Sequence, residues 1–149
     1  MTGELPAGHV ARAALGETRR LVVKIGSRSL MADGTKRYES LARQLSGQRA
    51  QGRHPVLVSS GAVAVGRLRL GMTERPKVMD RLQAAAATGQ SRLMRAYEDA
   101  FEKHSVNVAQ VLFTHADLAD RDRYLNARGA IDALLDLNVI PIINENDTV

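Results

Sequence analysis

Four short apolar runs, rich in β-branched residues and each closing on glycine or polar side chains, limit this chain more than any other feature. They are LVVKIG from Leu21 to Gly26, PVLVS from Pro55 to Ser59, VNVAQVLFT from Val106 to Thr114 and VIPIIN from Val139 to Asn144. Runs of this length bounded by turn residues read as buried strands. Helical spacing fills the intervals. Tyr38, Leu41, Ala42 and Leu45 repeat on one face before Gly52, a helix stop. AVAVGRLRLG consists of helix formers interrupted by Gly66, and Pro76 to His104 is the longest helical stretch, with Val78, Leu82, Leu93, Tyr97 and Phe101 on one side. A last amphipathic segment carries Tyr124, Ala127, Ile131, Leu134 and Leu135 and ends near Asn138. Strand and helix alternating in this way predict an α/β domain with a mainly parallel sheet and helices on both faces. Pro141 predicts an edge or irregular position for the fourth strand. The small-residue run QAAAATGQ, Gln83 to Gln90, predicts close helix packing or a helix break around Gly89.

The 149 residues suit one domain with a real core, built from aliphatic side chains because aromatics make up only 3%. Cysteine is absent, which excludes disulfides, thiolate metal sites and a cysteine nucleophile and fits a reducing cytoplasm. No run reaches the length of a membrane span. Residues 1–20 lack a continuous apolar segment of the signal-peptide kind and read as a flexible extension before the first strand. The formal net charge of +5 is spread along the chain without a basic stripe. With few aromatic platforms for bases, it fits a basic surface around an anionic ligand better than a nucleic-acid interface.

In an open parallel sheet, ligands bind beyond the carboxyl ends of the strands. Here those ends carry GSRS, SSGA, THADLADRDR and NENDT, all expected on one edge. Lys24 interrupts an apolar strand two residues before its glycine exit. It either snorkels to solvent or aims a point charge at a phosphate, with Gly26 and Ser27 bringing backbone N–H groups to the same anion. There is no Walker-type phosphate loop in the sequence. Gly61 permits close backbone approach, and Ser60 either caps the next helix or faces a ligand. Asn144 and Asp147 either order a turn or meet an amino-acid ligand, the carboxylate answering its ammonium. His9, His54, His104 and His115 have no metal-like spacing, and no Ser-His-Asp arrangement is visible. Chemistry at this edge must therefore run without a histidine base.

At these residues the chain resembles the glutamate 5-kinases of the amino acid kinase superfamily. The resemblance runs through VVKIGS, VSSGAVAVG, QAAAATGQSRLMRAYEDAF, QVLFTHADLADRDRYLNAR and IPIINENDTV, nearly everything from Leu21 to Val149. It implies a three-layer α/β/α sandwich and ATP-dependent phosphorylation of the L-glutamate γ-carboxylate, the first step of proline biosynthesis. It further implies that Lys24 contacts the transferred phosphoryl group, with Gly26 and Ser27 at the ATP phosphates. Ser60 and Asp147 are implied to bind glutamate, with Gly61 and Asn144 in the same pocket. Mg²⁺ would be held mainly by the nucleotide, so no protein metal ligand is assigned. Oligomerisation and feedback inhibition by proline are common among similar enzymes. Arg28, Leu82 and Gly129 depart from the usual pattern, Arg28 adding charge beside the phosphate loop.

Residues 21–149 correspond to the N-terminal, glutamate-binding part of such a kinase, and the nucleotide-binding half is expected beyond Val149. A polypeptide of these residues alone is expected to be inactive. The competing readings are another acid kinase of the superfamily, a non-catalytic amino-acid-binding or regulatory module and, last, a nucleic-acid module.

Overall fold

The computed structural model describes residues 16–149. Of the expected extension, residues 1–15 lie outside the described residues, and Arg20 already belongs to the sheet. In chain order the elements are β1 Arg20–Lys24, α1 Ser27–Met31, α2 Thr35–Ala50, β2 His54–Val58, α3 Ala62–Arg69, α4 Met79–Glu102, β3 Val108–Phe113, α5 His115–Ala119, α6 Arg121–Asp136 and β4 Ile140–Glu145. The four strands form one parallel sheet in the order β1-β2-β4-β3. The predicted α/β class and the four strands are therefore observed. Two short helices, α1 and α5, occupy segments read from sequence as polar loops.

Side chains alternate across a strand, so each strand serves two layers. Leu57, Ile140 and Ile142 face α2 and α4, where they join Ala42, Leu45, Leu93, Tyr97 and Phe101 in the main core. On the opposite face α6 packs along β4 and Arg20 pairs with Asp132 at 2.7 Å, while Val22 of β1 stays 65% exposed. The helix α4 carries the longest apolar stripe, but Val78 lies just before its start and is 59% exposed rather than part of that stripe. Asn138 ends the α6 region in left-handed conformation with φ +60°, as expected of a residue following a helix.

Pro141 does not mark an edge. It is fully buried in β4, which lies between β2 and β3. Ile140 N–H donates to Asn107 O on the β3 side, so the next residue's nitrogen turns toward β2. There the paired register begins only at Leu57 with Ile142. Pro55 is placed alike: His54 N–H donates to Arg19 O beside β1, and the following nitrogen faces β4. Two prolines thus omit donors along the same unpaired stretch, which is why a central strand tolerates them.

Close packing, not a helix break, explains the small-residue run. A Cβ built on Gly66 would lie 1.8 Å from Ala85 O, and one on Gly89 would lie 1.8 Å from Ala62 O. The two helices approach backbone to backbone through Ala62/Gly66 and Ala85/Gly89, each pair one turn apart. Gly66 is therefore required by α3 rather than a weakness in it. Thr114 opens α5 with a reciprocal capping box, its hydroxyl accepting from Asp117 N–H while Asp117 accepts from Thr114 N–H. The Thr114 hydroxyl, donating to Asp117 Oδ2 at 2.6 Å, holds the Asp117 carboxyl below its usual range, helped by the Thr114 N–H and by Arg123.

Candidate active site

Parallel register places the strand exits on one edge. Lys24 is level with Val58, which is level with Ile143, which is level with Val111. Two inter-strand spacings separate the Lys24 and Ile143 backbones, about 10 Å in all. The Lys24 side chain lies on the exposed face of β1, and no hydrogen bond or ion pair ties it to another described residue. Beyond it, Ile25 N–H donates to Val58 O at 2.9 Å, extending the pairing to the site. Gly26 then precedes α1, and Ser27 is its first residue.

At the second exit, Ser59 is buried and its hydroxyl lies 2.8 Å from the Tyr97 hydroxyl. Burial pushes the Tyr97 phenol up to about 12, partly opposed by that hydrogen bond. Ser60 does not cap α3: its hydroxyl donates to Ile25 O at 3.4 Å, and the capping position is Gly61. Gly61 has φ +114°, a conformation L side chains rarely adopt, and its missing Cβ would sit 3.5 Å from Ser27 Cβ. The first two exits therefore touch, bringing Lys24, Gly26, Ser27, Ser60 and Gly61 into one group.

The third member is the end of β4, joined to β2 by Ser59 N–H donating to Ile143 O at 2.8 Å. Asn144 is buried, and its side chain is spoken for. Its Nδ2 donates to Gln90 Oε1 at 3.2 Å, and its Oδ1 accepts from Glu145 N–H at 3.0 Å. Gln90 Oε1 also accepts from Gln110 Nε2 at 2.9 Å, and Gln90 Nε2 donates to Glu145 O at 3.1 Å. The turn itself is ordered by Asn146, whose Oδ1 accepts from the Thr148 backbone and hydroxyl. Asp147 is left half-buried with its carboxyl raised above the usual range, first by burial and then by Glu145, against the pull of Arg75. A cation arriving beside it would reverse that shift.

Sequence reading missed three contributors: Gln90, Tyr97 as the partner of Ser59, and Arg75 as a charge acting on Asp147. Arg75 lies in a polar connection with no motif. Tyr97 reads from sequence as a core residue. A groove of about 530 Å³ between α6 and the outer sheet face is lined by Phe113, Tyr124, Ile131 and Ile143 among others. It is mostly apolar and is not the strand-exit site. Among the described residues, no group of three or more His, Asp or Glu is arranged to hold a metal ion, and no helix is long and apolar enough to cross a membrane.

This parallel α/β fold is shared by a known family. The chain belongs to the amino acid kinase family, whose model matches residues 19–149. It is 54% identical to the glutamate 5-kinase of Paraburkholderia phytofirmans over 142 residues, covering 93% of this chain and 38% of that protein. The glutamate 5-kinase of Hahella chejuensis is 55% identical over 143 residues, with 93% of this chain and 37% of that protein covered. The chain thus spans well under half the length of these curated relatives. The structure of carbamate kinase from Giardia lamblia bound to AMP-PNP has the same fold, with a TM-score of 0.56 at 18% identity. That match covers 87% of this chain and 57% of the other.

Proposed function

We propose that residues 21–149 form the glutamate-binding part of an enzyme that phosphorylates the γ-carboxylate of L-glutamate with ATP. The observation that carries this reading is the 54% identity to glutamate 5-kinases across 93% of the chain. The residues matched to the family include all four strand exits. The chemistry suits a site without a histidine base. A glutamate γ-carboxylate, with a reference pKa of about 4.3, is ionised at neutral pH and needs no proton removed before it attacks. Its oxygen bonds to the γ-phosphorus of ATP as the bond to the β-phosphate bridging oxygen breaks, giving an acyl phosphate and ADP.

In this reading, Lys24 stabilises charge on the phosphoryl group in flight, and Gly26 and Ser27 present backbone N–H groups to the phosphates. Asp147 answers the glutamate ammonium, Ser60 turns its hydroxyl from the long bond to Ile25 O toward the amino acid, and Gly61 lets the backbone approach it. Asn144, whose side chain is already bonded on both sides, serves by orienting the loop. Mg²⁺ carried by the nucleotide supplies charge neutralisation at the phosphates. A cytoplasmic location, a homo-oligomeric state and inhibition by proline accompany the reading, all by resemblance to similar enzymes.

The test uses the protein expressed from its complete reading frame, with ATP, Mg²⁺ and glutamate and with hydroxylamine trapping the acyl phosphate. Asp147→Ala raises the glutamate KM, because the ammonium loses its counter-charge. Lys24→Ala lowers kcat with a smaller effect on KM, because its contact strengthens as phosphoryl charge develops. Wild-type kinetics in both variants would refute the assignment. The polypeptide of residues 1–149 by itself is expected to give no meaningful turnover. It spans only 38% of the relative's length, and lost positioning of ATP against acceptor forfeits about 7–11 kcal/mol of barrier reduction. Turnover by that polypeptide, abolished by Lys24→Ala, would place the nucleotide site within these residues.

A further inference from the structure

Gln90 is the residue around which the end of β4 is organised, yet it lies on a helix, 54 and 55 positions away from two of its partners. It is 7% exposed on the inner face of α4, among Ala86, Leu93 and Met94. A core position of this kind is ordinarily apolar, because a buried amide is costly unless its hydrogen bonds are made. Here three are made, to three different residues of β3 and β4. Filling space cannot account for them, since an unbranched apolar side chain of similar length would do that. What the amide adds is direction.

Its partners fix the chain segment that leads to Asp147. Gln90 Nε2 holds the Glu145 carbonyl, and Gln90 Oε1 holds the Asn144 amide, which in turn accepts from Glu145 N–H. Asn146 N–H donates to Phe113 O at 2.8 Å. Each of the three residues before Asp147 is thereby tethered, two of them through Gln90. The preceding residue, Gly89, packs against the carbonyl of Ala62, just after the Ser60–Gly61 turn. Successive residues of one helix, about 1.5 Å apart in rise, thus abut the second strand exit and the fourth.

We infer that Gln90 is a positioning residue for the amino-acid subsite, its side-chain amide setting where Asp147 stands relative to Ser60. The inference rests on the proposed reading of Asp147 and Ser60 as glutamate-binding. Lys24 is on β1, which receives no bond from Gln90, so the phosphoryl-transfer end of the site stays in place when the amide is lost. The expected signature is selective. Glutamate binding weakens, while ATP binding does not.

The experiment compares wild type, Gln90→Met, Gln90→Glu and Asp147→Ala in the protein expressed from its complete reading frame. Methionine keeps the length and removes every hydrogen bond. Glutamate at position 90 keeps acceptors for Gln110 and Asn144 and loses the N–H that holds Glu145 O. Far-UV circular dichroism monitors folding, and the thermal shift produced by glutamate gives a readout independent of turnover. For Gln90→Met, the glutamate KM rises about fivefold or more, as expected when part of the stabilisation from three lost buried hydrogen bonds falls on the subsite. Its ATP KM is unchanged, kcat falls by less than the glutamate KM rises, and the glutamate-induced thermal shift shrinks. Gln90→Glu shows the same pattern at no smaller amplitude, because its buried carboxylate turns an oxygen toward the Glu145 carbonyl, and it decides the matter alone if Gln90→Met does not fold. Folded position-90 variants with wild-type glutamate KM, or with glutamate and ATP KM raised equally, overturn the inference while Asp147→Ala still raises the glutamate KM. If Asp147→Ala itself leaves glutamate KM unchanged, the underlying reading of the site falls, and the role of Gln90 falls with it.

Discussion

Replacing Gly89 with alanine should push α3 and α4 apart and destabilise the protein, although alanine is the better helix former. The added Cβ would lie 1.8 Å from Ala62 O, 2.7 Å from Ala62 C and 2.7 Å from Gly66 N, all backbone atoms that cannot rotate away. Restoring a tolerable separation of roughly 3.2 Å requires the helices to part by about 1.4 Å, whereas a gap of about 1 Å already forfeits up to half of a dispersion contact. The contacts at stake are those of Val63, Ala85, Ala86 and Leu82, a small cluster of their own. Overpacking of this kind costs up to about 3 kcal/mol, and relief of the glycine penalty returns about 1 kcal/mol, leaving a net loss of about 2 kcal/mol. For a unit of this size that lowers the melting midpoint by about 4–8 °C. Gly66→Ala meets Ala85 O at the same 1.8 Å and should behave alike. Once one alanine has separated the helices, the second finds room, so the double variant should lose clearly less than the sum of the two singles. Urea or thermal unfolding of the three variants measures this. A Gly89→Ala protein as stable as wild type, or strictly additive losses, would refute the backbone-contact argument.

Asp147 supplies a pH-dependent prediction. Its carboxyl is raised above its ordinary value of 3.8, so without ligand the folded state disfavours its charge. Below the ordinary value it is protonated whether folded or unfolded and contributes nothing. As pH rises through the raised value, ionisation costs stability. Asp147→Asn should therefore match wild type in acidic melts and exceed it near neutrality in the absence of glutamate; a benefit confined to acid would contradict the sign. Gly61→Ala places an L side chain at φ +114°, with its Cβ only in ordinary contact with Ser27. Backbone strain then dominates, with a loss of about 1–3 kcal/mol in denaturant unfolding, and no measurable loss would show that the turn relaxes freely.

The strands were legible because each is an apolar run closed by turn residues, and parallel alternation then places their exits on one edge. Lys24, Ser60 and Asp147 stand out for the same reason: each is a polar side chain where an apolar run ends. Gln90 carries no such mark. Its meaning comes from Gln110, Asn144 and Glu145, whose nearness follows only from the packing of α4 on the sheet. The short helix α5 was within reach, since Thr114 followed three residues later by Asp117 is a capping-box pattern, but the polar string around it reads as a loop. Pro141 misled because the general rule concerns a missing donor, and sequence alone does not reveal that the facing stretch of β2 asks for none. Gly66 misled through helix propensity, a weak local term outweighed by a contact with another helix.

The paired prolines divide the sheet into two ribbons, β1 with β2 and β3 with β4, laced together only at one end. Between Pro55 and Pro141 the seam has lost donors, and the paired register starts at Leu57 with Ile142 and is continued by Ser59 with Ile143. The laced end is the one that carries the candidate site. Opposite it, the ribbons are held by side-chain packing and can part slightly without breaking a ladder bond. A ligand bridging Ser60 on one ribbon and Asp147 on the other would act as a further stitch at the laced end. Amide exchange at Ser59 should then slow when glutamate binds, while amides at the amino-terminal ends of β2 and β4 keep their own pace.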